Sequence, residues 1–389
     1  MLLLFLFLAL SACLTQFATD IYLPSFASMA ASFNVSLSVI QGTLSIYLLG
    51  VCASQVVYGP VSESVGRKKP LMFGIALMLI GSFLCAFSQS ADVLYLARFV
   101  QGIGAGACSA LWRTIFRDQF SGKELAKYSS YLVVFIIFCV PAAPAIGGVL
   151  EETFGWKSNF MFMGALGMCV LFFLMVGFKE TLKASARTPL SLKGAIQKYG
   201  ILFKSPVFMG IGGAIFFTYG GAFTWYAIGP VLLMTDRGVT PTEFGYLNLI
   251  TAGLGYGLGG LLNGRLVPKF GMCTMMRLGW LIMICAAAAI LVQNFFSDVS
   301  KWGIIIPIAF VYFGSCFIWP NAFSTAFTPF GHMAGYAGAL YSSLQLGGGS
   351  VLGMLSAYLP STVYVLCGSI ILTTVLGWLI YEKYVACNN

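Results

Sequence analysis

From one end to the other, the chain is a succession of apolar runs long enough to cross a bilayer, separated by short polar segments. A spanning helix needs roughly 20 apolar residues, and in hydrocarbon its backbone groups must be satisfied within the helix itself. The runs fall at 2–31, 37–62, 71–89, 93–116, 125–150, 156–178, 206–234, 242–266, 275–295, 302–328, 335–359 and 361–382. Twelve helical spans in two sets of six are therefore predicted, the last two divided at Pro360 and Ser361. Composition excludes a soluble fold: 59% of the 389 residues are hydrophobic and 8% charged, against about 25% charged in soluble domains.

The opening run, MLLLFLFLALSAC, lacks the basic segment that precedes a secretory leader and continues past Cys13 toward Pro24, so it reads as the first span. The longest polar stretch, Lys179 to Ser205, reads as a linker between an amino-terminal half (1–178) and a carboxy-terminal half (206–389).

A net charge of +9 raises the question of nucleic acid, but the cations sit between apolar runs and form no stripe. Seventeen of the 21 Lys and Arg residues fall on one side of the predicted topology; the opposite loops hold Lys157, Arg237 and Lys301, and Arg98 lies inside span 4. By the positive-inside rule the linker and both termini face the cytoplasm. The eleven cysteines show neither CxxC nor Cys/His ligand spacing, so no disulfide framework or metal site is indicated. No nucleophile–base set, phosphate-binding loop or dinucleotide loop appears, so neither enzyme chemistry nor a cofactor is expected. The lone histidine, His332, falls in a loop and reads as solvated.

The halves carry a degenerate repeat. Gly59-Pro60-Val61-Ser62-Glu63-Ser64-Val65-Gly66-Arg67-Lys68 follows span 2, and Gly260-Leu261-Leu262-Asn263-Gly264-Arg265 follows span 8. Internal repeats of this kind mark secondary transporters, whose substrate sites lie between the repeats near the membrane midplane.

One buried acid stands out. Eleven of the twelve acidic residues lie in loops or at span ends, and Asp20 alone sits inside an apolar run. A carboxylate in or near hydrocarbon is costly unless it faces a cavity or a partner, which makes it a functional candidate. Burial disfavours the charged form of such a group, which suits it to exchanging a proton. Arg98, six residues in from Asp92 and so about 9 Å deep, is the expected counter-charge. Pro24 removes the N–H that would bond the carbonyl of residue 20.

These residues, with the loop and helix motifs beside them, resemble the major facilitator superfamily, and within it the drug–proton antiporters of the bicyclomycin and chloramphenicol resistance type. In the loop between spans 2 and 3, Gly59, Gly66, Arg67 and Lys68 match the superfamily signature, with Glu63 in place of its Asp and Ser64 in place of a basic residue. Arg98-Phe99-Val100-Gln101-Gly102 resembles the element of proton-coupled members. Pro141-Ala142-Ala143-Pro144-Ala145-Ile146-Gly147-Gly148 is similar to the antiporter motif, with Ala143 where a Gly is expected. Asp20-Ile21-Tyr22-Leu23-Pro24 and Arg113-Thr114-Ile115-Phe116-Arg117-Asp118 look like the subgroup's own signatures.

The resemblance implies an all-α, twelve-helix fold in a bacterial inner membrane, binding no nucleic acid, working as a monomer and exporting small amphipathic compounds in exchange for protons. Asp20 and Arg98 would then couple the proton. Gly59, Glu63, Gly66, Arg67 and Lys68 would gate the cytoplasmic side, with Glu63 paired to Arg67 or to the opposite half. Pro141, Pro144, Gly147 and Gly148 would pack span 5 against the second half. Polar and aromatic residues within spans are the substrate candidates: Gln16, Thr19, Tyr47, Gln101, Tyr131, Tyr219, Trp225, Trp319, Asn321, Tyr341 and Gln345, with Thr19, Tyr47 and Gln101 foremost. Two other functions fit the same residues: a proton-coupled permease for one metabolite or siderophore, and a membrane sensor that moves no solute.

Overall fold

Capping and breaking residues set the helix boundaries. The computed structural model describes residues 2–119, 122–189 and 191–385; the side chains of Arg113, Arg117, Lys123, Lys127 and His332 lie outside the described residues. Among the described residues there is no strand, and the α-helices are α1 (Leu2–Asp20), α2 (Phe26–Phe33), α3 (Leu37–Val65), α4 (Lys68–Ala86), α5 (Ala91–Gln119), α6 (Gly122–Phe154), α7 (Lys157–Val176), α8 (Leu192–Lys204), α9 (Pro206–Arg237), α10 (Pro241–Phe296), α11 (Lys301–Phe327), α12 (Ala334–Ala357) and α13 (Val363–Tyr384). Ser205 and Thr240 cap α9 and α10 by accepting the N–H groups of Phe208 and Glu243, and each is followed by proline. Ser300 and Thr362 cap α11 and α13 in the same way through Gly303 and Val365. A side-chain oxygen at the cap and proline at the first helical position are the favoured way to start a helix.

Twelve spans result. Span 1 is α1 with α2, α10 supplies spans 8 and 9, and α8 lies within the linker. Three details depart from the sequence expectation. The first span is not continuous: α1 ends at Asp20, a short 3-10 turn covers Leu23–Ser25 and α2 resumes at Phe26, because Pro24 cannot donate to the Asp20 carbonyl. The linker contains a helix of its own. Spans 8 and 9 are joined by a turn at Gly271 (φ 79, ψ 159), which repeats the turn at Gly66 (φ 99, ψ 169) between α3 and α4.

That turn corrects the register of the repeat. Gly66 lies seven residues after Gly59, and Gly271 lies seven after Gly264. Gly264 is therefore the counterpart of Gly59, and Pro268 stands where the first half has Glu63.

Inside the first half, the small residues of α5 bring backbones together. A Cβ at Gly102 would collide with the Tyr47 carbonyl of α3, and one at Gly104 with the Met78 backbone of α4. Small residues at such crossings are how membrane helices pack closely. The two halves meet along two seams, α3 against α12 and α6 against α10.

Candidate transport site between the halves

The side of the membrane that carries the linker is here the linker face; the opposite side is the far face. The far face is closed. The proline–glycine run of α6 gives it room: Gly147 sits against the Ile21 carbonyl and Gly148 against that of Pro241, while Gly245 of α10 sits against the Pro144 carbonyl. Pro141, by contrast, lines a cavity further in. At the rim, Glu152 accepts the Thr242 N–H (3.0 Å) and hydroxyl (2.7 Å). Those two bonds hold its carboxyl below the usual range. Gln41 of α3 donates to the Ala227 carbonyl at 2.9 Å and to the Ser361 hydroxyl at 3.2 Å.

Asp20 ends α1 just beneath this seal. It is 2% exposed, and its Oδ1 has no hydrogen-bond partner among the described residues. It lies within electrostatic range of Tyr219, Tyr226, Tyr256 and Tyr312, all from the second half. The carboxyl therefore lies within electrostatic reach of both halves, since Tyr47 of α3 feels it as well.

Arg98 faces the other way. Its guanidinium is fully buried between the rings of Tyr22 and Tyr47, each 4.3 Å from Cζ. It donates to the Ala18 carbonyl (3.0 Å) and to Gln101 Oε1 (2.5 Å). Stacking on aromatic faces suits the weakly hydrated guanidinium. Arg98 thus forms no ion pair with Asp20; it reaches the end of α1 through the backbone, two residues before the acid.

The foremost substrate candidates belong to this buried cluster and do not line the cavity. Gln101 holds Arg98 and donates to Ser82 at 2.8 Å. The Tyr47 hydroxyl donates to the Thr15 carbonyl at 2.7 Å, and Thr19 donates to the same carbonyl at 2.9 Å. All three side chains are sealed inside the first half.

The cavity of about 440 Å³ lies between the halves, lined by Gln16, Val140, Pro141, Tyr226, Tyr256, Gly260, Asn263, Gly264, Cys316, Trp319 and Pro320. Among the described residues, no charged side chain lines it. Tyr256 and Trp319 stand 5.9 Å apart, and the Trp319 indole N–H has no partner among the described residues. Aromatic walls with one free donor suit a flat apolar or cationic guest. Gln16 and Trp319 were legible as candidates; Tyr226, Tyr256 and Asn263 were not, because nothing in one sequence says which side of α9 or α10 faces the first half. A larger groove of about 590 Å³ opens on the outer wall beside the exposed Val57 and Phe73, away from Asp20.

On the linker face, the signature loop is a knot of contacts. Arg67 Nε pairs with Asp118 at 3.1 Å, and its Nη1 donates to Ser62 Oγ at 2.6 Å. The expected pair with Glu63 is not made; Arg67 turns inward, and the Glu63 carboxylate lies instead against Gly335 at the start of α12, in the other half. Gly59 packs on Ala339 of the same helix. Lys68 Nζ donates to the Phe178 carbonyl at 2.6 Å, closing the end of α7. Glu180, which the sequence marks only as a loop acid, accepts the N–H groups of Arg67, Lys68, Thr181 and Leu182 at 2.8–3.2 Å. Partial burial opposes its charge, but the four N–H groups prevail and hold the carboxyl below the usual range.

A twelve-span helical body in two halves, closed at one face around a buried acid and a central cavity, is the architecture of a secondary transporter. The chain belongs to the Major Facilitator Superfamily, whose sequence profile matches residues 8–354. It is 31% identical to multidrug resistance protein D of Escherichia coli over 97% of this chain and 93% of that one. It is 28% identical to a bicyclomycin resistance protein homolog of Haemophilus influenzae, over 90% and 87% respectively. Among solved structures, the xylose transporter XylE from E. coli in a partially occluded inward-open conformation shares the fold, with a TM-score of 0.73, 16% identity and coverage of 98% and 97%. The superfamily comprises transporters, not enzymes.

Proposed function

We propose that the chain is a proton-coupled exporter of small amphipathic compounds, and that Asp20 carries the proton. The observation that supports this best is the Asp20 carboxyl itself: buried, with Oδ1 unpartnered among the described residues, and one helical turn from Gln16, which lines the cavity between the halves. Ionised, it offers a negative charge to a guest between the halves; protonated, it offers none. A ligand shifts a two-state equilibrium only through its differential affinity for the states, and the protonation of one acid at the boundary supplies such a difference. The names of the multidrug and bicyclomycin resistance relatives support a drug-like cargo. Among the described residues the cavity wall carries no cation to hold an acidic nutrient or siderophore, which favours a neutral or cationic cargo.

In this reading residues 1–178 and 206–389 rock about the linker 179–205 as a monomer, in the inner membrane of a bacterium with the linker face cytoplasmic. Glu63, Gly59 and the Gly66–Lys68 turn form the cytoplasmic gate, and the α6 run forms the outer one. Arg98, braced by Tyr47 and Gln101 beside Thr19, positions the end of α1 and does not touch cargo.

The test is proton movement in everted membrane vesicles loaded with a pH-reporting dye, across cationic, neutral and zwitterionic compounds. Wild-type vesicles should lose their gradient with some cationic or neutral aromatic compounds, and Asp20→Asn vesicles with none. Equal proton movement in the two would remove Asp20 from the mechanism; none in either would remove antiport.

A further inference from the structure

The linker helix α8 has two faces. Its inner face is docked: Leu202 is fully buried, and Tyr199 reaches both halves. Pro60 has no N–H to give the Val56 carbonyl of α3, one helical turn back, and the Tyr199 hydroxyl supplies that bond at 2.9 Å. The Tyr199 ring also meets Tyr336 at the start of α12 at 5.3 Å, edge to face, and Lys198 lies over the same Tyr336 ring at 4.4 Å. The helix is thus fixed across the α3–α12 seam, beside Glu63.

Its outer face is exposed among the described residues. Ile196, Ile201 and Phe203 are 63%, 52% and 55% exposed, and Lys193 and Lys204 are exposed between them. None of the ion pairs among the described residues uses either lysine. The linker carries six basic residues against a single acid, Glu180, so its charge is strongly positive. Position completes the argument: α9 starts at Pro206, immediately after the Ser205 cap, so the end of α8 is held where a spanning helix enters the membrane.

We propose that the outer face of α8 is a docking surface for anionic lipid. Ile196 and Phe203, which share one side of the helix, enter the acyl boundary of the linker-face leaflet while Lys193 and Lys204, roughly a fifth of a turn round from them, meet lipid phosphates, as amphipathic surface helices do. Anionic lipid then steadies an element that links Val56 of α3 to Tyr336 of α12. This goes beyond the export reading and does not depend on what is carried.

Hydrogen exchange of residues 192–204 in the full-length protein tests it, in nanodiscs of phosphatidylcholine alone and of phosphatidylcholine mixed with phosphatidylglycerol. Exchange should slow roughly fivefold or more in the anionic discs, from about that factor per lysine near a charged surface. The double change Lys193→Gln and Lys204→Gln should erase the difference, and Ile196→Ser with Phe203→Ser should speed exchange in both discs. Thermal unfolding of each variant checks that the twelve spans persist; if the double change lowers it, Lys193→Gln and Lys204→Gln are read singly. Equal exchange in the two discs, or a phosphatidylglycerol effect that survives loss of the lysines, would overturn the proposal. Slowing by soluble polyglutamate and not by phosphatidylglycerol would assign the surface to an acidic protein instead, and overturn it as well.

Discussion

The turns at Gly66 and Gly271 have nearly the same backbone and opposite surroundings. Over Gly66 lies the Glu180 carboxylate, while a Cβ at Gly271 would have nothing within 4 Å. After Gly66 come Arg67, buried against Asp118, and Lys68, closing α7. The ion pair nearest Gly271, Arg277 with Glu382, is bidentate at 2.6 and 2.7 Å but remains 47% and 34% exposed. Duplication has kept the path of the chain in both halves and the side-chain knot in one. A repeated backbone is therefore no guide to a repeated role, since the first turn is a fixture and the second is only a bend.

The largest test of that contrast is the pair Gly66→Ala and Gly271→Ala. Both place a side chain at positive φ, but only the first also meets a carboxylate, so Gly66→Ala should destabilise by roughly 3 kcal/mol or more and Gly271→Ala by roughly 1. Thermal unfolding in detergent measures both, and equal losses would break the comparison. Next is Arg67→Gln, which leaves Asp118 without its buried partner and should lose roughly 3 kcal/mol; Arg277→Gln should lose less than about 1, because water screens that pair. Similar losses would mean that burial does not separate the two bridges.

Within the first turn, a smaller effect than at Gly66 or Arg67 is expected at Glu180. Its carboxyl is held below the ordinary value of 4.5, so the charge stabilises the native protein above pH 4.5 and that contribution is lost as pH falls through the lower native value. Glu180→Gln should be less stable than wild type at pH 7 by roughly 1 kcal/mol, since solvent screens a partly exposed group, and the gap should close on acidification. A gap that persists at low pH would show that the turn is held by shape and not by charge.

Lipid made the spans legible, because it leaves a chain little choice except long apolar helices. The points where those helices break were less so. Pro24 signals a missing N–H, but whether the helix bends or stops depends on α6, whose Gly147 receives the Ile21 carbonyl. Asp20 could be read as a lone acid in an apolar run; the tyrosines around it could not, since they are separated from it by half the chain. Thr19, Tyr47 and Gln101 show the limit well. Each is polar and within a span, as a cavity residue would be, yet their partners are Thr15, Arg98 and Ser82, and one sequence does not reveal a helix's rotation. Glu180 looks like any other loop acid until Arg67 and Lys68 turn their N–H groups toward it.

Arg98 and Asp20 also differ in when their surroundings come into being. Ala18, Tyr22, Tyr47 and Ser82, which receive Arg98 and its neighbour Gln101, all precede Arg98 in the chain. During synthesis from the amino terminus, the guanidinium reaches the bilayer with the helices of these four residues already made, while Phe160 of α7, 5.8 Å away, follows. When Asp20 emerges, Tyr219, Tyr226, Tyr256 and Tyr312 are still untranslated. The nascent chain must carry that acid through the birth of nine further spans before its pocket exists, so the least settled period in the life of this carboxyl comes before the finished protein has any cargo to move.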